Sequence, residues 1–185
     1  PEPPLHGYGY RKGARFYFLN VIEELDSPGE WFLDRDSGML YFWPPGDIEQ
    51  AEVSFPQLDV PMIVLEGTQN ISIRRIIFES SRDKAIIIGD GSHNEIAGCT
   101  IRNFGGSTAI EIGGTHNTIR SSDVYELAGT GIYLGGGDRQ TLTPAGNQAV
   151  NCNIHHVGRV YRTYHGAFSL RGIGETIHVR DVHAT

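Results

Sequence analysis

Residues 85–121 read AIIIGDGSHNEIAGCTIRNFGGSTAIEIGGTHNTIRS, and the stretch says nearly the same thing twice. Each copy holds a short apolar run, a Gly-rich turn, an Asn, and a second short run with Ile two places after the Asn. Aligning on the Asn extends the pattern in both directions. The anchors are Asn70, Asn94, Asn117 and Asn147, with Glu175 in a fifth copy. The last two intervals are longer than the others, which marks two insertions into one plan.

The apolar residues fall into files. Ile63, Ile86, Ile110 and Phe168 form one, with Leu65, Ile88, Ile112 and Leu170 two places on; Ile132 and Leu134 fill both roles in the fourth copy. Ile96, Ile119, Ala149 and Ile177 follow the anchors by two. Ile77, Ile101, Val124, Ile154 and Val182 follow by seven. Each run is a fragment of period-two alternation broken by Gly or polar residues, so it reads as a short strand. None has the length or periodicity of a helix. Such a strand cannot bury its apolar side alone, whereas copies stacked along one axis bury all of them in a continuous column. The glycines at the turns (89, 91, 113, 114 and 135–137) are expected to supply positive φ at tight corners. The Asn at a fixed corner is expected to hydrogen-bond the backbone of the next coil as a ladder. A six-residue repeat, the mark of a left-handed hexapeptide helix, is missing.

This pattern resembles the right-handed parallel β-helix of the pectate-lyase-like superfamily over residues 61–185. The implied fold is all-β, a right-handed parallel β-helix (solenoid) of about five coils, and the handedness comes from the resemblance. Residues 1–60 lack the repeat and read as a small β-rich cap. Arg15 to Phe18 is expected as a strand, Asn20 to Leu25 as a short capped helix, and Ala51 to Phe55 as a strand leading into the first coil. Trp31-Phe32-Leu33 and Leu40-Tyr41-Phe42-Trp43 read as hairpin arms around Asp36-Ser37-Gly38. The aromatic arms are expected to plug or flank the first coil, with a separate sugar-binding face as the alternative. The run Gly29 to Arg35, with Gly38, Leu40-Tyr41 and Pro44-Pro45, is similar to a segment that precedes the β-helix in large secreted bacterial proteins. These include β-helix glycoside hydrolases of the fucosidase and xylanase kind.

Composition narrows the partners. A net charge of −7 without Lys/Arg clusters argues against nucleic acid. No apolar run approaches the length of a membrane span, and no glycine cluster opens a helix as a phosphate loop would. The two cysteines, Cys99 and Cys152, fall in one inward slot two coils apart, with Ser122 between. That separation is about 10 Å at the strand spacing, beyond the roughly 7 Å a disulfide tolerates, so both are expected as free buried thiols. Thr185 falls inside a repeat, and the chain is expected to be part of a longer β-helix protein, secreted or periplasmic. A small domain closed by self-association is the alternative.

Function in a solenoid concentrates in insertions and outward columns. The first insertion, between Leu134 and Asn147, carries Asp138 and Arg139; the second spans Arg159 to His165. In polysaccharide-active β-helix proteins such loops flank the substrate groove. The outward columns give Thr100, Asp123, Asn153 and Asp181, then Arg102, Tyr125, His155 and His183, and on the first strand Val64, Ile87, Glu111, Tyr133 and Ser169. Asp123 and Asp181, about 10 Å apart on this count, approach the separation of about 6.5–9.5 Å between the carboxyls of an inverting glycosidase. The expected partner is a polysaccharide or oligosaccharide, cleaved by hydrolysis. Asp138, Asp123 and Asp181 are the catalytic candidates, with Arg139, Tyr133, Glu111, His155 and His165 in binding. A lyase that removes a proton alpha to a uronate carboxylate, with Arg139, Arg162 and His165 available, and a non-catalytic glycan-binding scaffold are the alternatives. No cofactor is expected; calcium, as in pectate lyases, would need clustered carboxylates, and Asp90 is the only acid in the Gly-rich turns. His155 and His156 are expected to face opposite ways, and His93 and His116 to stack. Asn70-Ile71-Ser72 fits a glycosylation sequon, but a ladder Asn would be buried.

Overall fold

The structure is a computed structural model that describes residues 12–13, 16, 18–172, 177–180 and 183–184. The chain divides into two compact units, Pro1–Val53 and Ser54–Thr185.

The second unit is a β-solenoid of three parallel sheets, each five strands deep. Sheet I holds Ile63–Leu65, Ile86–Ile88, Thr108–Ile112, Thr130–Gly136 and Phe168–Gly172. Sheet II holds Ser72–Arg74, Glu95–Ala97, Thr118–Arg120, Asn147–Val150 and Ile177–Arg180. Sheet III holds Ile77–Ser81, Thr100–Phe104, Asp123–Leu127, Asn153–His155 and His183–Ala184. Each turn of chain visits I, II and III in order. Among the described residues, three turns are flanked by a turn on each side, and the first and fifth by a turn on one side.

Alternation sends one residue in two inward, and stacking aligns like with like. Ile86, Ile110 and Ile132 of sheet I pair in register, as do Ile88, Ile112 and Leu134. Ile96, Ile119 and Ala149 do the same in sheet II, and Ile101, Val124 and Ile154 in sheet III. All are essentially fully buried. At about 1.5–3 kcal/mol for each large aliphatic side chain removed from water, this column is the main source of stability.

Asn94, Asn117 and Asn147 form the expected ladder and are fully buried. Each Oδ1 accepts an amide proton from the turn before: Asn94 from Ile71 at 2.9 Å, Asn117 from Asn94 at 2.9 Å, and Asn147 from Asn117 at 2.8 Å. The Nδ2 groups donate to carbonyls of the Gly-rich corners, among them Gly91, Gly113 and Gly135. Asn70 is not a member. Ser72 pairs with Glu95, so Ile71 occupies the first ladder slot and Asn70 lies one position early, exposed, with φ 60°. The reason is physical: a ladder Asn serves the preceding turn, and the first turn of the solenoid has no such turn to serve. Asn70 instead shares its left-handed position with His93 and His116, whose rings stack 5.1 Å apart.

The same shift of one residue corrects the file on sheet III. Phe78, not Ile77, pairs with Ile101 and points inward; Phe78 is 7% exposed and Ile77 62%. At the other end, Ile177 stands opposite Asn147 and Ala184 opposite Ile154. Glu175, Asp181 and Val182 lie outside the described residues. The corner glycines divide into two kinds. Gly114, Gly136 and Gly137 have positive φ. Gly89, Gly91, Gly113 and Gly135 do not; at Gly91 and Gly113 a Cβ would come within 2.7 Å of the Thr68 carbonyl oxygen and 2.9 Å of that of Gly89, respectively. Those two positions need Gly for close approach between turns, not for backbone conformation.

Cys99 and Cys152 are free and buried, and Cys99 N–H donates to Ser122 Oγ between them at 3.2 Å. Burial pushes the Cys152 thiol pKa up.

In the first unit, Trp31–Leu33 and Leu40–Phe42 pair antiparallel as the expected hairpin. Only a 3₁₀ turn forms after Asn20, at Ile22–Glu24, and no side chain caps it. Asn20 docks the hairpin instead, accepting from Leu33 N–H at 2.7 Å and donating to Leu33 O at 2.9 Å. Phe16 and Phe18 are not in a strand, while Arg15 and Tyr17 lie outside the described residues. Residues 51–55 form no strand; a 3₁₀ turn at Ile48–Gln50, capped by Asp47, precedes them. They carry alternating apolar residues but pair with no other strand, and Val53 and Phe55 stay exposed.

Candidate functional site

The two insertions lie at opposite ends of sheet I on consecutive turns. The first leaves the end of Thr130–Gly136; the second precedes Phe168–Gly172. They therefore flank the outward face of one sheet.

That face changes character along the axis. Its central column runs Val64, Ile87, Glu111, Tyr133, Ser169. Glu111 accepts a 2.6 Å hydrogen bond from Lys84 Nζ, an ion pair that holds the carboxylate in place. Tyr133 stands beside Glu111 across the strands. Its ring lies over Gly135, where a Cβ would come within 2.9 Å of the ring carbon Cε1. Gly135 pairs with the exposed Arg171. A carboxylate, a fixed ammonium, an aromatic face and a guanidinium are thus presented together.

At one edge, the first insertion folds back on itself through a bridge between Asp138 and Thr143. Asp138 accepts from Gln140 N–H at 2.8 Å and from Thr141 Oγ1 at 2.9 Å. These bonds, the backbone one first, hold its pKa below the usual carboxylate range. A carboxylate so held suits a base or a nucleophile better than a proton donor. Asp138 lines an open depression of about 350 Å3 with Asp90, Thr115, Thr141 and Thr143. Arg139 is exposed in the same loop.

At the other edge, His165 brings Nδ1 to 3.1 Å from both the Ser107 carbonyl oxygen and Thr130 Oγ1. A carbonyl only accepts, so Nδ1 carries the proton of the neutral ring and Nε2 keeps its lone pair. Tyr161 packs on the imidazole with centroids 5.4 Å apart. Arg159 pairs with Glu126 and anchors the start of this insertion.

Asp123 and His155 belong to sheet III, a different side of the solenoid. Asp123 accepts from Asn153 Nδ2 at 2.9 Å, and its Oδ1 is 3.4 Å from His155 Nε2. The His155 ring stacks on Tyr125 at 4.8 Å. The residue opposite Asn153 in the fifth turn is His183, while Asp181 lies outside the described residues. His155 and His156 do not face apart: a φ of 51° turns His156 back until the two Nδ1 atoms are 2.6 Å apart. Among the described residues, no three His, Cys, Asp or Glu side chains gather as a metal centre requires.

Sequence reasoning placed Glu111 and Tyr133 in one outward column, Asp138 and Arg139 in the first insertion and His165 in the second; the structure puts all five on or beside the sheet I face. It missed Lys84 and Arg171, and weighed Asp90 only as a calcium ligand. Lys84 had no signal, because its reach to Glu111 crosses to the next turn. Asp90 had one: it is the acid of a glycine turn at the corner from which the first insertion springs.

Residues 61–161, more than half of the chain, match the family described as a right-handed β-helix region. The chain belongs to that family. Residues 1–45 match the family described as a GH141 insertion domain. The β-helix is therefore joined to a segment similar to the GH141 insertion domain, the pairing of a carbohydrate-active β-helix protein. Neither the curated proteins nor the solved structures give a match to the chain.

Proposed function

We propose that this chain is the β-helix part of a secreted glycoside hydrolase, and that polysaccharide lies across the outward face of sheet I between the two insertions. The observation that carries the reading is the coincidence of both insertions with the two ends of one sheet, on consecutive turns, around Glu111 and Tyr133. Tyr133 offers a ring face for a sugar; Lys84 and Arg171 offer donors to its hydroxyls, and His165 Nε2 offers an acceptor. Asp138, kept ionised by its own loop, is the carboxylate suited to activate water or to attack, and Glu111 is the second carboxylate of the pair that glycosidic cleavage needs. The GH141 insertion-domain match supports hydrolysis over elimination.

The test is a panel of plant and algal polysaccharides, read for new reducing ends and for the ultraviolet absorbance of unsaturated products. Reducing ends without unsaturation are expected, and Glu111→Gln should lower the rate at least about 100-fold, as for loss of a general acid or base. Unsaturated products would replace the hydrolase reading with a lyase. Polysaccharide retention without any cleavage, unchanged in Glu111→Gln and Tyr133→Ala, would sink the assignment of this face.

A further inference from the structure

The first unit contains a cavity of about 450 Å3, lined by Phe16, Phe18, Asn20, Glu24, Glu30 and Trp31 among others. That volume is in the range of a small-molecule site. Its aromatic walls are open to solvent: Phe16 is 78% exposed, Phe18 60% and Trp31 55%. Phe16 and Phe18 meet edge to face at 5.5 Å, so their planes stand at a steep angle and present both an edge and a face.

Two of the polar members, Asn20 and Glu30, are held in position before any ligand arrives. Asn20 is fixed by its two bonds to the Leu33 backbone. Glu30 Oε2 accepts from Asp26 N–H at 2.9 Å and Ser27 N–H at 2.7 Å. The floor of the site is thus tied to the hairpin and its approach, and binding need not spend energy on ordering it. Glu24 and Glu30 are acceptors for hydroxyl donors, and the cavity's described lining contains no Lys or Arg. A carboxylate rim on a chain of net charge −7 repels uronates and sulfated sugars.

We infer that this cavity is a second carbohydrate site, separate from the sheet I face, and that it takes neutral sugars, stacked on Trp31 and the Phe16–Phe18 pair and hydrogen-bonded through hydroxyls to Glu24 and Glu30. The inference borrows from the proposed function only the choice of glycan as ligand. It makes the first unit a holding element, which keeps a neutral stretch of polymer in place whatever the β-helix does to it.

Both tryptophans of the chain, Trp31 and Trp43, are in this unit, so intrinsic tryptophan fluorescence reports on it alone. The experiment titrates the full chain with neutral oligosaccharides (xylo-, manno- and gluco-oligomers) and with oligogalacturonate. A saturable fluorescence change with a neutral series and none with oligogalacturonate is expected. Trp31→Ala and Phe18→Ala should each weaken binding at least tenfold by calorimetry. Glu24→Gln, an exposed change that leaves the fold alone, should weaken it severalfold. Tyr133→Ala and Glu111→Gln on sheet I should leave the fluorescence titration unchanged, which separates this site from the other. No fluorescence response to any neutral sugar, or a response abolished by the sheet I variants and untouched by Trp31→Ala and Glu24→Gln, would overturn the inference. A stronger response to oligogalacturonate would overturn its ligand class.

Discussion

Glu95 sits on the outward face of sheet II between two guanidinium groups, those of Arg120 and Arg74. The hydrogen bond from Arg120 is the chief reason its pKa lies below the usual range; the charges of Arg120 and Arg74 and a bond from Ser72 act the same way, against a smaller opposing effect of burial. A depressed folded-state pKa means that the unfolded chain binds this proton first. The stabilisation is complete above the ordinary glutamate range and is lost as pH falls through the folded value. Melting temperature measured from neutral to acid pH should therefore fall more steeply for the native chain than for Glu95→Gln. Parallel curves would show that the three charges, all solvated to some degree, couple too weakly to matter.

The sheets show what a short strand can and cannot announce about itself. Phe78 and Ile77 are adjacent and both apolar, and only the register decides which is interior. Truncating Phe78 to Ala should cost about 3–5 kcal/mol, while Ile77→Ala should stay within roughly 0.5 kcal/mol. Chemical denaturation midpoints of the two variants decide it, and equal losses would mean that the register of the first turn is wrong. The three flanked turns were legible in the sequence because Asn94, Asn117 and Asn147 repeat a chemical need as well as a spacing. On sheets II and III the first turn was misread by one residue, because Asn70 has the right identity and the wrong duty; on sheet I, Ile63 and Leu65 fall where the count put them. The hairpin was legible from its turn and its aromatic arms. The candidate face was legible in part: Glu111 and Tyr133 fall in one outward column by counting. Lys84 and Arg171 act across turns, and the seating of His165 on Ser107 joins residues far apart in sequence, which no local pattern encodes.

At the scale of the whole molecule, the solenoid is a one-dimensional stack in which each turn touches only its neighbours. Its two thiols report on that stack. Cys99 and Cys152 are each 1% exposed, with Ser122 between them. Neither should react with a thiol reagent while the stack holds, and both should react together on unfolding. A fluorescent maleimide followed through a denaturant series measures this. Labelling of Cys152 well before Cys99 would show that the stack opens from its later turns and is not one cooperative body.

The asparagine ladder has a direction, and with it a rule about where harm surfaces. Every carboxamide oxygen looks backward along the axis, so the backbone proton it shelters belongs to the turn already laid down. Cutting the side chain at 117 would leave its own amide still bonded to Asn147 and strand the one at 94. Solvent deuterium would then enter first at a site 23 residues upstream of the lesion. In such an edifice a crack opens on the storey below the missing beam.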